Sequence, residues 1–255
     1  MPARLVADRE LGWAALTRMF DCPTDAAGIW LRADPVRLQP DLGAVWVDAG
    51  ARLPPESPAA RELIDLFHEE GMALSFADEL RGYVRLESRP DVRFMPPWTL
   101  AGRSMELRLP VGPEQQRWRR LLSETQILLH QHAPSLPSLT RPGGLWFWGE
   151  GSPLPSDPVS PRVSAIQAHD PVLGGLARWL ALPLESPGKH PMQPGQMLEW
   201  QADQALSAED NLGVLERLLR RAWRALRLGR IHGLELADRQ RVWRFGRLAA
   251  WSRWP

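Results

Sequence analysis

The sequence predicts an α+β fold: a mixed sheet with helices packed on it, followed by a C-terminal helix and hairpin. Three observations predict it. Short strand-like runs come in pairs and alternate with amphipathic stretches of helix length. Two of those stretches open on local start signals, Ser57-Pro58 and Ser207 with Asp210. The last third holds one strong amphipathic helix and then two short runs with turn residues between them.

Taken in order, residues 3–20 read as a helix, with Leu5, Gly12, Trp13, Leu16 and Phe20 near one face and Asp21-Cys22-Pro23 ending it. Gly28–Ala33 and Ala44–Asp48 read as strands, joined by a loop DPVRLQPDLG rich in Pro and Asp. A helix starts at Ser57-Pro58, buries Leu63, Ile64 and Phe67, and stops at Gly71. Met72–Phe76, Gly82–Glu87 and Met105–Leu109 read as further strands. Glu114–His132 is a helix whose apolar face is Trp118, Leu121, Leu122, Thr125, Leu128 and Leu129.

Residues 133–161 are rich in Pro, Gly and Ser around the apolar stretch Leu145–Trp148, and 183–196 read as a flexible connection. The last helix runs from Ser207 to Gly229. Leu212, Leu215, Leu218, Leu219, Ala222 and Leu226 form its expected buried face, with Arg217, Arg220, Arg221, Arg224 and Arg227 mostly opposite. Ile231–Leu236 and Arg241–Phe245 form a hairpin around Ala237–Gln240. The expected organisation is a mixed-sheet region over 1–140 and a Trp/Arg-rich region over 141–255 packed on it, the two together making one domain or two.

Composition bounds the class. Apolar residues at 44% suffice for a core, and charged residues at 24% are ordinary, so a folded chain is expected. The single cysteine, Cys22, cannot form an internal disulfide, which fits a reducing compartment. The opening MPARLVADRE lacks the layout of a signal peptide, and no apolar run reaches the roughly 20 residues of a membrane span, so a cytoplasmic location is expected. A net charge of +1 selects neither nucleic acid nor anionic lipid as a partner.

No catalytic or metal-binding motif stands alone. His130-Gln131-His132 is the one close His pair; on a helix its members diverge by about 200°. Asp34, Asp41 and Asp48 sit at strand ends, where they serve either a metal or general-base role or turn chemistry. His169-Asp170 has no nucleophile elbow with it. Gly143-Gly144 and Gly149-Glu150-Gly151 flank an aromatic strand and admit a close backbone approach, either to a phosphate or to the chain itself. The Arg-rich C-terminal third, with Trp223, Trp243, Phe245, Trp251 and Trp254, is either a solvated helix face with a Trp-packed hairpin or a surface for phosphates and bases.

Three segments, WLRADPVRLQPD (Trp30–Asp41), LLSETQILLHQHAP (Leu121–Pro134) and GGLWFWGEGSPLP (Gly143–Pro155), resemble in order and spacing the RpfE-type bacterial regulatory proteins, a group often labelled phosphoglycerate mutase. The resemblance extends more weakly to Asp170–Leu180 and to LRLGRIHGLEL and VWRFGR. It departs where Arg37 stands for a usual His, Ser123-Glu124 for Asn-Glu, Ala133-Pro134-Ser135 for Pro-Val-Asn, and Gly143-Gly144 for Asn-Ser. The first and third segments are also similar to parts of the archaeal-type, cofactor-independent phosphoglycerate mutases, which belong to the alkaline-phosphatase-like metalloenzymes. Those enzymes use two divalent metals held by Asp and His, with a nucleophilic Ser. Here no Asp-Gly segment precedes Trp30, and after Asp170 the only histidines are His190 and His232.

The resemblance therefore implies a degenerate mutase-like scaffold and a non-catalytic regulatory protein, with no cofactor and no metal. Its cleft would be lined by Arg32, Asp34, His130, Trp146, Trp148 and Glu150, and would take a phosphorylated small molecule or a protein partner. One alternative is a phosphomutase or phosphohydrolase in which Asp34, Asp41, Asp48, His130 and His132 converge. The other is a single-stranded nucleic-acid-binding module built on the C-terminal region.

Overall fold

The computed structural model describes residues 11–41, 44–99, 105, 109–156, 160–187, 193–203, 205–238 and 241–248. The chain divides into two compact units: one is Glu10–Pro158, and the described residues of the other lie within Val159–Pro255. The class is α+β, with five α-helices and three sheets among the described residues. None of these helices is long and apolar enough to cross a membrane.

The first unit is organised around one long strand. Helix α1 (Trp13–Asp21) leads into β1 (Ile29–Asp41), which hairpins into β2 (Ala44–Ala49). Helix α2 (Pro58–Glu69) follows, then the antiparallel pair β3 (Ala73–Phe76) and β4 (Gly82–Leu86), helix α3 (Gln115–Gln131) and strand β5 (Gly144–Trp148). Arg32 pairs with Tyr83 of β4 and with Trp148 of β5, so those strands lie on opposite edges of β1. Val36 pairs with Ala49 of β2 and with Gly144 of β5, so β2 takes up the edge that β4 leaves. Every pairing among these five strands is antiparallel. The sheet expected to be mixed is thus antiparallel.

The Pro- and Asp-rich stretch expected as a loop continues β1 instead. Pro35 lies where β4 has ended at Arg32 and β2 begins only at Val36, so no backbone N–H is required of it on that edge. The expected break at 140 also moves. Strand β5 pairs along β1 from Arg32 to Val36, and a boundary at 140 would cut the sheet from its own strand.

Strand alternation sorts the side chains onto two covered faces. Leu31, Ala33 and Phe147 face α2 and α3: the Phe147 ring meets Phe67 at 5.9 Å and Trp118 at 5.2 Å. Helix α2 forms where expected, with the Ser57 hydroxyl accepting from the Ala60 N–H at 3.2 Å. Helix α3 buries Trp118, Leu121, Leu122, Thr125 and Leu129, and the Thr125 hydroxyl accepts from the Leu145 N–H, tying the helix to β5. The other face carries Trp30, Arg32, Asp34 and Trp148 towards α1 and the segment around Trp98, whose ring lies 5.0 Å from that of Trp148. The expected helix over 3–20 is seen from Trp13; residues 3–10 lie outside the described residues, as do 106–108 of the expected strand Met105–Leu109.

The second unit holds two small sheets. Strands β6 (Ala165–Gln167), β7 (Leu184–Glu185) and β8 (Gln196–Leu198) are parallel, in the order β7-β6-β8, with α4 (Pro171–Trp179) crossing from β6 to β7. Asp170 caps α4, its carboxylate accepting from the Val172 and Leu173 N–H groups. Part of the expected flexible connection 183–196 is therefore ordered as β7. Helix α5 (Ala208–Arg227) starts on the Ser207 cap and packs against the antiparallel hairpin of β9 (Gly233–Ala237) and β10 (Val242–Gly246). The hairpin covers only the C-terminal half of the helix. Trp223 and Leu226 are buried, but Leu212, expected in the same face, is 64% exposed.

Candidate functional site

The RADP and LWFW segments meet because β5 pairs directly along β1. Arg32 stands opposite Trp148, and Asp34 opposite Trp146. The Arg32 guanidinium donates through Nε at 2.9 Å and Nη2 at 2.7 Å to one oxygen of Asp34. The other oxygen accepts the Trp148 indole N–H at 2.7 Å. The pair lies inside the unit, Arg32 being 5% and Asp34 8% exposed. The Trp146 indole N–H is turned elsewhere, to the Met95 carbonyl at 2.7 Å.

A second layer holds the first. The Arg32 guanidinium stacks 5.1 Å from the rings of both Tyr83 and Trp148, and Arg18 stacks 4.3 Å from Trp30 and 5.2 Å from Tyr83. The Tyr83 hydroxyl donates to Asp21 at 2.6 Å, and Arg81 grips both oxygens of the same carboxylate at 2.9 and 3.0 Å. Burial pushes the Asp34 carboxyl above its ordinary value, against the pull of Arg32, of the Trp148 N–H and of a backbone N–H from Gly82. Burial works to lower the Arg32 guanidinium, but the Asp34 carboxylate and the Tyr83 phenol together hold the group above its ordinary value. Burial also raises the Tyr83 phenol. With both Asp34 oxygens engaged by donors inside the protein, the arrangement is a packed ion pair, with no group free for proton transfer or nucleophilic attack.

Glu150 lies apart from this pair, in a different setting. It lines an open groove of about 580 Å³ with Arg89, Asp91, Arg93, Val111 and Gly112. Its carboxylate accepts the Phe94 N–H at 3.1 Å. Burial raises its pKa above the ordinary carboxyl value, while the Phe94 N–H and the charges of Arg89 and Arg93 pull it down. Arg89 and Arg93 are exposed, and beyond the pull of the Glu150 carboxylate their guanidinium groups form no hydrogen bond or ion pair among the described residues. Sequence reasoning missed both. The usable signal was two arginines four apart around Pro90-Asp91, just after a strand and before Phe94.

The glycines around Glu150 serve the chain itself. Gly149 has φ +82°, and its carbonyl accepts the Ala14 N–H at 2.9 Å. A Cβ on Gly151 would stand 2.3 Å from the Gly12 Cα. The close approach that the GEG segment permits is thus to the start of α1.

The remaining sequence candidates do not converge. His130 is an exposed residue near the end of α3, and no hydrogen bond joins it to Arg32, Asp34 or Trp148. His132 pairs with Glu62 at 3.0 Å. Asp48 is held by Arg37, its cross-strand partner. The side chain of Asp41 lies outside the described residues, as do Trp251, Trp254 and His190. The backbone N–H groups of His169 and Asp170 donate to Glu199.

These residues do not fit the two-metal centre that the mutase resemblance brings with it. A cation at Asp34 would have to displace a guanidinium 2.7 Å away. Among the described residues, no three His, Cys, Asp or Glu side chains are grouped to hold an ion.

No protein-family model matches the chain. No curated protein matches it. Among solved structures, the chain is similar to a cofactor-independent phosphoglycerate mutase from Thermoplasma acidophilum DSM 1728, at 15% identity and a TM-score of 0.36, over 80% of this chain and 62% of that one. The chain thus spans less than two thirds of that enzyme's length.

Proposed function

We propose that this chain is a non-catalytic binding protein of regulatory role, built on a degenerate mutase-like scaffold as its RpfE-type segments imply and working in the cytoplasm. It engages a phosphorylated small molecule or an anionic group of a protein partner. The binding place is the groove beside Glu150, and the observation that carries this reading is the pair of exposed arginines on its wall, Arg89 and Arg93, which form no hydrogen bond or ion pair through their guanidinium groups among the described residues. Two guanidinium groups on one groove suit a phosphate oxygen pair. The Glu150 carboxylate, set back on the Phe94 N–H, remains able to accept from a ligand hydroxyl. This groove is distinct from Arg32, Asp34 and Trp148, whose polar groups are used internally.

Calorimetric titration of the full chain with inorganic pyrophosphate tests it. Saturable binding that is lost in Arg89→Gln/Arg93→Gln, with an unchanged melting temperature, is the expected result. Binding unaffected by that double substitution would overturn the assignment of the groove. Manganese- or zinc-dependent turnover of a phosphomonoester by the pure protein would overturn the non-catalytic reading.

A further inference from the structure

We propose that the outer face of α5 binds duplex nucleic acid through its phosphates, by way of Arg217, Arg221 and Arg224. The chain as a whole carries a net charge of +1, yet residues 216–248 hold ten arginines against three acidic residues, a net +7 that leaves −6 for the rest. Charge segregated in this way is the electrostatic footprint of a polyanion partner.

The structure sorts these arginines. Arg220 is neutralised by Glu216 one turn earlier, and Arg244 by Glu235 across the hairpin. Arg217, Arg221 and Arg224 are exposed, and their guanidinium groups have no hydrogen-bond or ion-pair partner among the described residues. Their spacing of four and three residues puts them within an arc of about 60° on one side of the helix. Leu226 lies on the opposite side, packed against the hairpin. Like charges at this spacing repel and weaken a helix, so the row is unfavourable until a counter-charge lies along it. The row spans about 10 Å at 1.5 Å per residue, the length over which one strand of a duplex presents about three phosphates at 3.4 Å each.

The same geometry selects the partner. A single strand is held by bases stacking on aromatic rings. Here Trp223 is buried and its ring packs 5.5 Å from that of Phe245, on the far side of the helix from the arginine row, and the exposed Trp243 belongs to the hairpin and not to that row. An anionic bilayer takes up an amphipathic helix by its apolar face, and the C-terminal half of that face is turned to the hairpin.

The test uses the full chain and a fluorescein-labelled 20-base-pair duplex of arbitrary sequence, read by anisotropy at 50 and 200 mM NaCl. Three phosphate contacts predict a weakening of about 40-fold over that range, from a slope of about −0.9 per phosphate. The variant Arg217→Gln/Arg221→Gln/Arg224→Gln keeps helix propensity and should flatten the log–log salt slope by about three while leaving the circular dichroism unchanged. Should the triple variant lose structure, Arg221→Gln alone should reduce the slope by about one. No binding at 50 mM overturns the proposal, as does a salt slope that the substitutions leave unchanged. So does tighter binding of a 20-nucleotide single strand or of phosphatidylserine vesicles.

Discussion

Trp148 donates its indole N–H to Asp34 across the β1–β5 pairing, on the carboxylate oxygen that Arg32 leaves free. One aromatic donor and one guanidinium thereby satisfy a carboxylate buried between two sheet strands and helix α1. Removing one member leaves the others with unpaired polar groups in a medium that cannot hydrate them. Asp34→Ala should therefore cost about 3–5 kcal/mol in urea unfolding. The double variant Arg32→Met/Asp34→Leu should recover most of that loss, because a buried pair replaced as a unit leaves no orphan charge. Equal destabilisation by the single and double variants would mean that the pair contributes by packing alone.

Trp148→Phe keeps most of the ring and removes the donor. Its cost should be about 1–3 kcal/mol, the penalty for one unpaired buried acceptor. The paired substitution Asp34→Asn/Trp148→Phe should cost less than the sum of its parts, since the two residues share one hydrogen bond. Strict additivity would show that the indole N–H contributes nothing.

The meeting of Arg32-Ala33-Asp34 with Trp146 and Trp148 was legible in the resemblance, which pointed to one cleft, although Asp34 read as the first residue of a loop. The sequence did not show that the cleft closes on itself. An Arg and an Asp two apart on a strand face the same side, and whether they grip each other or a ligand depends on what covers that side. Here α1 and the Trp98 segment cover it. The run through Pro35 was hidden for a related reason. Proline reads as a loop unless the neighbouring strand happens to leave a gap beside it, as β4 and β2 do. Strands β6, β7 and β8, of two or three residues each, are too short to carry a period.

Glu150 gives a pH dependence of definite sign. Burial raises its folded pKa above the unfolded value, so its titration contributes stability that is fully present below the unfolded value near 4.5 and is lost as pH rises through the folded one. Glu150→Gln keeps an oxygen for the Phe94 N–H and cannot ionise. Melting temperatures of the variant and the parent chain should therefore diverge in favour of glutamine between pH 4 and pH 7. A gap constant over that range would show that the carboxyl ionises in the fold as easily as in the unfolded chain.

The GEG turn offers a test of close packing against backbone strain. Gly50 has φ +100° with nothing within 4 Å of an added Cβ, so Gly50→Ala carries conformational strain alone, about 1–3 kcal/mol. Gly151→Ala would place its methyl 2.3 Å from the Gly12 Cα and 2.8 Å from its nitrogen, so one backbone must give way. The start of α1 should then shift, quenching or exposing Trp13, whose ring lies 5.2 Å from Trp98. A larger loss in Gly151→Ala than in Gly50→Ala, with a change in tryptophan fluorescence, is the expected pattern. The reverse order would place the strain in φ and not in the contact with Gly12.

Helix α5 separates periodicity from burial. Leu212 and Leu226 belong to one apolar stripe in the sequence, but the hairpin reaches only as far as the second. Periodicity states which side of a helix is apolar, and the length of the covering element decides how much of that side leaves water. Leu226→Ala should cost about 2–5 kcal/mol, since its methyl groups are packed among Trp223, Leu234 and Phe245. Leu212→Gln should change stability by no more than about 0.5 kcal/mol, because a side chain 64% exposed has little burial to lose. A large loss in Leu212→Gln would show that the N-terminal half of α5 is covered in solution.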